Sequence, residues 1–319
     1  MNNKPDLGSL FGAKASKTFL GLESCVSMNE LNAPIAFIGA PCATPYKSVG
    51  AYCKKAPDAL RQATSAITSN IDRHNFDLGG PIFYPNSKRA VDCGNLPFDE
   101  SQPKENRKII KTAIELILEK GTVPILVGGD DSVPIPMLQA FGGRGDYTIL
   151  QLDAHIDWRD SHMDESMGLS STMRRASEMP HVERIIQVGS RGIGSGHTDD
   201  FQDALDWGAV FVTANDLHKQ QNTRFLDSIP QGSNIIVCLD ADVFDPSIVP
   251  GVIGRTPGGL SYYQVFDLIK IVSEKGPIAA ISFVEYMPDA DIDGLGALVI
   301  SRLIASTMGL ISRQISDPF

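Results

Sequence analysis

Three short apolar runs in this 319-residue chain end in carboxylates. The first is ILVGGDDS, with Asp130 and Asp131; the second is TILQLDAHID, with Asp153, His155 and Asp157; the third is IIVCLDADVFDP, with Asp240, Asp242 and Asp245. Along an extended backbone, residues i and i+2 point to the same side, so each such pair can act on one partner. A single pair is as readily a turn or a helix cap. Three acidic strand ends brought together differ, because buried like charges repel and lose hydration unless a cation lies between them. Carboxylates with one imidazole and no thiolate suit a hard or borderline divalent ion, Mn2+ first and Ni2+ as the alternative. A shared carboxylate suits two such ions about 3.5–4 Å apart.

The elements that would position these groups are legible as apolar runs, each followed by a polar or helix-patterned stretch: 35–40, 123–127, 147–152, 184–188, 210–213, 234–239 and 279–284. This alternation predicts βα units on a parallel sheet, and runs apolar at nearly every position predict strands covered on both faces. After Pro103, a helical stripe of Ile110, Ala113, Ile114 and Ile117 runs to a stop at Gly121. A second helix carries Val265, Leu268, Ile269 and Val272 inward and stops at Gly276, and a closing helix spans 294–311. With no repeat or Gly/Ser-rich linker, the expectation is an N-terminal arm over 1–30 and a single α/β domain over 31–319, a three-layer αβα sandwich.

Composition bounds the function. The net charge is −10, from 38 acidic and 28 basic residues, which lacks the footprint of a nucleic-acid or anionic-membrane binder and favours a cationic small ligand. Five scattered cysteines indicate neither a disulfide framework nor a thiolate zinc site, and a reducing cytoplasm is expected. The first residues lack a secretory apolar region, and no stretch approaches about 18 consecutive apolar residues, so no membrane span is expected.

GGDDS, DAHID, LDADVFDP followed by PGVIGRTPGGL, and the late VEYMP, in this order, resemble the ureohydrolase superfamily of arginases, agmatinases and guanidino-acid hydrolases. AFIGAP, VDCGN and IIQVGSRG extend the resemblance over nearly the whole chain, and LFGAKASKTFLGL looks more like agmatinases than arginases. The resemblance implies a mostly parallel sheet of about eight strands and a dinuclear manganese site that ionises a bridging water. It implies attack on the central carbon of a guanidinium and release of urea and an amine, in a trimer or hexamer. By motif, Asp153 and Asp240 would bridge the metals, Asp157 would serve one, and His155 and Asp242 the other. Glu285 of VEYMP would receive the guanidinium through paired hydrogen bonds.

The chain departs from that family's pattern twice. Asp131 stands where the family usually has a metal-ligating His; a carboxylate can bind the same ions, but adds negative charge. Ten residues after Asp157, where agmatinases carry His-Gly, the chain has Met167-Gly168. A thioether performs no acid or base work, so His162 or Glu165 of the same loop could substitute. Trp158 and Arg159 are placed to wall the pocket with Met167, although Arg159 can equally pair with Asp160 or Asp164. The leading expectation is a metal-dependent hydrolase of an agmatine-like guanidino compound. The alternatives are a hydrolase of an alkylated guanidine or biguanide that releases an amine, and a non-catalytic partner subunit of a hetero-oligomer; assembly as a homo- or hetero-oligomer is expected.

Overall fold

The structure, a computed structural model, describes residues 16–194, 196–220 and 224–316. Nine strands among them form one sheet: β1 (Glu23–Ser24), β2 (Ile35–Gly39), β3 (Val91–Asn95), β4 (Val123–Val127), β5 (Tyr147–Leu152), β6 (Val182–Val188), β7 (Val210–Val212), β8 (Asn234–Asp240) and β9 (Ile278–Val284). All neighbours pair in parallel, in the order β1-β3-β2-β4-β9-β8-β5-β6-β7. The expected α/β sandwich is therefore present, with nine strands where about eight were expected.

Successive strand residues point to opposite faces, so a strand apolar at every position feeds two cores. Leu150 and Leu152 of β5 join one core, on the side of α1 (Ala56–Thr64), α7 (Tyr262–Lys275) and α8 (Leu295–Ser316). Ile149 joins the other, with α2 (Pro103–Glu119), α3 (Pro134–Gln139), α4 (Thr172–Ser177) and α5 (Thr198–Trp207); a further helix, α6, spans Ala214–Gln220. The predicted stripe of α2 is buried at Ile110, Ala113, Ile114 and Ile117, and that of α7 at Val265, Leu268, Ile269 and Val272. Ser261 and Gln264 cap α7 reciprocally, side chain to backbone in both directions. By length and composition α8 could cross a bilayer, yet 78% of its most apolar stretch is buried within the protein. It is the core helix of this face.

Of the expected arm, residues 1–15 lie outside the described residues, and 16–30 are packed onto the domain. Phe19, Leu20 and Leu22 are buried in the first core, and β1 adds an edge strand to β3. Asp92 ties them down. Its carboxylate accepts the Phe19 amide at 2.7 Å and a two-point ion pair from Arg61 of α1, at 2.8 and 2.9 Å, both side chains being buried.

The strand order decides where a ligand can sit. The chain leaves β4 and resumes at β5 with two strand positions between them, which β8 and β9 later fill. Open parallel sheets bind ligands beyond the carboxyl ends of strands at such a switch point. The segments after β4, β9, β8 and β5, four neighbouring strands, are those that carry the acidic motifs.

Candidate metal centre

After β4 the chain turns on Gly128 (φ +101) and Gly129 (φ +69), where a Cβ would lie 2.3 Å from Pro57 and 2.9 Å from the Ala40 carbonyl respectively. This turn delivers two consecutive aspartates with different surroundings. Asp130 is consumed locally, by the Ser132 side chain and amide and by the Cys42 thiol at 3.3 Å. Asp131 is 3% exposed, and its Oδ2 is buried without a hydrogen-bond partner. A buried unpartnered carboxylate oxygen is costly by several kcal/mol and needs a ligand to offset it.

That ligand would find company. Ligand atoms of Asp131, Asp153 and Asp157 lie within 4.8 Å of one another, as do those of Asp153, His155 and Asp242. Asp153 belongs to both groups. His155 Nδ1 is 2.9 Å from Asp242 Oδ2 and 3.5 Å from Asp153 Oδ1. The Ala154 amide donates to Asp242 Oδ1 at 3.0 Å, and the Asp242 amide to Asp240 Oδ1 at 2.7 Å. Asp240 stands outside both groups, buried beside them. Gly254 closes over the second group, where a Cβ would approach the His155 ring to 3.0 Å and Asp242 Oδ2 to 3.3 Å. Asp245 instead takes the amides of Gly258 and Gly259 at 2.9 and 3.1 Å, a turn-forming role.

The electrostatics reflect the crowding. Burial, then the charges of neighbouring carboxylates, holds Asp131, Asp157 and Asp240 well above the usual carboxylate range, and Asp242 is raised for the same reasons. Burial opposes ionisation of Asp153 as well, but hydrogen bonds and the charge of His155 hold it below its ordinary value. Burial would depress His155, yet its bonds to Asp153 and Asp242 push it up to about 12. The oxygen and nitrogen donor set, the shared carboxylate and the unpartnered Asp131 oxygen all fit a pair of hard or borderline divalent ions.

Glu285 follows β9 in the left-handed region (φ +63), its amide bonded to the Gly129 carbonyl at 2.9 Å. Its Oε1 accepts the Asp131 amide at 2.8 Å. The Tyr52 hydroxyl lies 2.8 and 2.7 Å from its two oxygens. Burial first, then the charge of Asp130, pushes Glu285 up to about 8. Tyr52 carried no motif signal, since it lies in the loop SVGAYCKK among no recognisable chemistry.

The remaining expected site residues lie elsewhere. Trp158 is a correction: it is 1% exposed in the core, its ring 6.0 Å from that of Trp207 and its indole nitrogen donating to Gln187 at 2.6 Å. Being buried, it walls no pocket. His162 packs edge-on against Tyr46 and lies 2.8 Å from an Arg159 guanidinium nitrogen through Nδ1. Arginine can only donate, so Nδ1 is the acceptor in this contact. Asp160 pairs with Arg175 at 2.9 Å. The Met167 amide donates to Glu165 at 2.8 Å, and the Met167 side chain is partly exposed. None of His162, Glu165 or Met167 belongs to the two ligand groups.

The sequence profile of the Arginase family matches residues 33–309. The mitochondrial arginase 1 of Oryza sativa subsp. indica is 25% identical over 318 residues, covering 96% of this chain and 85% of the relative. An agmatinase of Pyrococcus horikoshii is 25% identical over 262 residues, covering 81% of this chain and 85% of the relative. Among solved structures, the formimidoylglutamase of Bacillus subtilis superposes with a TM-score of 0.80 at 20% identity, covering 97% of this chain and 94% of that one.

Proposed function

The chain belongs to the Arginase family, and from that premise we propose that it hydrolyses a C–N bond of a cationic, agmatine-like guanidino compound at a pair of divalent ions, manganese foremost. The observation that carries this reading is the convergence of the β4, β5 and β8 strand ends on one shared carboxylate, Asp153, beside an unpartnered oxygen of Asp131. Asp131, Asp153, His155, Asp157, Asp240 and Asp242 would hold the ions. When bound, the pair supplies a nucleophilic water at neutral pH.

The chain's own residues then do the positioning. Guanidinium keeps its charge and is a poor electrophile, so it must be held with its central carbon toward the nucleophile. Glu285 accepts its N–H groups, and a cation beside this carboxylate offsets the burial that now favours its proton. Tyr52 fixes both carboxylate oxygens. Water adds to the guanidinium carbon, the bond to the alkylated nitrogen breaks, and that nitrogen leaves with a proton as the amine, with urea as the other product. Cytoplasmic residence and assembly as a trimer or hexamer belong to the same proposal.

Elemental analysis of the purified protein, coupled to urea and amine assays over agmatine, other guanidines, alkylated guanidines and biguanides, tests it. About two divalent ions per chain and stoichiometric release from one class are expected; full activity of metal-free protein sinks the proposal. Amine released from alkylated guanidines or biguanides alone would move the substrate to that class. Asp131→His tests the ligand set more finely. An imidazole removes one negative charge, so the variant should keep its metal, change its metal preference and shift its activity profile to lower pH. Unchanged preference and profile would place Asp131 outside the ligand set.

A further inference from the structure

Two primary amides are buried inside the sheet where apolar side chains would be expected. Gln151 on β5 and Gln187 on β6 are register partners, 1% and 0% exposed. Burying an amide is costly by a few kcal/mol unless its donors and acceptor are all used. Here they are used in series. The Trp158 indole donates to Gln187 Oε1 at 2.6 Å; Gln187 Nε2 donates to the Ile156 carbonyl at 2.8 Å and to Gln151 Oε1. Gln151 Nε2 donates to Asp153 Oδ2 and Asp157 Oδ2, both at 2.8 Å.

The direction of this chain is set at its far end. An indole nitrogen can only donate, so Gln187 must present its carbonyl to Trp158 and its amino group to Gln151. Gln151 must then accept through its carbonyl and turn both amino hydrogens on the carboxylates. Neither amide can flip without placing a carbonyl against an acceptor. We infer that Trp158, Gln187 and Gln151 form a directional hydrogen-bond chain that positions Asp153 and Asp157 to receive the metal pair. They are positioning residues, and this role rests on the metal-centre reading above. Donors at both Oδ2 atoms hold the orientation of the two carboxylates before any ion arrives.

The test is Mn2+ titration of metal-free full-length protein by calorimetry, with the melting temperature of each metal-free variant alongside. Gln151→Leu should weaken Mn2+ binding at least about tenfold, the usual scale for removing an outer partner of a metal ligand. Gln187→Glu keeps an acceptor for Trp158 but has no amino group for Gln151, and should weaken it comparably. Trp158→Phe touches no ligand, yet should weaken binding too. In a double variant, Gln187→Leu should add little to Gln151→Leu, because it acts through Gln151. A role in packing alone would lower the metal-free melting temperature and leave the Mn2+ Kd at the wild-type value. Wild-type Kd in Gln187→Glu and Trp158→Phe therefore overturns the chain while leaving the metal-centre reading intact, and does so whether or not Gln151→Leu folds. Wild-type protein that binds no Mn2+ overturns both.

Discussion

Removing the metal should lower the melting temperature, and by more at pH 8 than at pH 5. A ligand that binds the native state alone adds about 2.7 kcal/mol per site at a hundred times its Kd. For a chain of this size that is roughly 4 °C per site. The pH dependence follows from the site. Asp131, Asp157, Asp240, Asp242 and Glu285 have raised folded pKa values, Glu285 to about 8. The metal-free folded chain thus holds protons that the unfolded chain releases. That contribution is complete below the unfolded carboxylate values of about 4 and is lost as pH rises through the folded ones. His155, pushed up to about 12, acts in the same sense above its unfolded value. Asp153 is lowered and acts oppositely, its contribution present at neutral pH and lost in acid. The metal needs the carboxylates ionised, so its own affinity rises with pH. Calorimetric scans of chelated and Mn2+-loaded protein between pH 5 and 8 measure the gap; a gap that narrows with rising pH contradicts a carboxylate-bound ion.

Glu285→Gln is expected to depress kcat/KM at least about tenfold, since a charge-assisted hydrogen bond is worth roughly 1.5–3 kcal/mol. The amide keeps the shape of the carboxylate and loses its charge, so metal content should stay near wild type. Discrimination against neutral amidine analogues should weaken as well, because charge is what Glu285 offers a guanidinium. Kinetics on the best guanidino substrate, after metal analysis of both proteins, decide the matter. Equal kcat/KM would remove Glu285 from substrate binding and with it the main support for a guanidinium substrate.

How much of this was legible in the sequence depends on how each residue signals its surroundings. Central strands such as 123–127 and 147–152 are apolar at nearly every position because both faces are covered, and their limits coincide with β4 and β5. β1 and β3 escaped that signal: Glu23–Ser24 has no apolar residue, and Val91–Asn95 mixes Asp, Gly and Asn. Pairing with neighbours, not local pattern, makes them strands. The carboxylates were legible because they follow apolar runs. Trp158 was misplaced because an aromatic residue next to a ligand motif reads equally as a pocket wall or as core; burial separates the two. Gln151 and Gln187 did leave a trace, a single amide within YTILQL and within IIQV, since a polar residue in a doubly covered strand must have partners. Tyr52 left none, because what it touches comes from a segment more than two hundred residues away.

Glu285 and Asp157 adopt left-handed backbone angles (φ +63 and +49), where side chains other than Gly, Asn and Asp are uncommon. Glutamate has no local hydrogen-bonding reason to be there, and strain of this kind costs on the order of 1–3 kcal/mol per residue. Glu285→Gly would relieve it, and would also take a buried negative charge away from Asp130 and Asp131. At Glu285 the substitution that eases folding removes the carboxylate proposed to hold the guanidinium, so selection for robustness and selection for turnover would pull apart there. A lineage kept only to complete an assembly would be free to drift toward the easier residues. This chain retains the harder residue at Glu285.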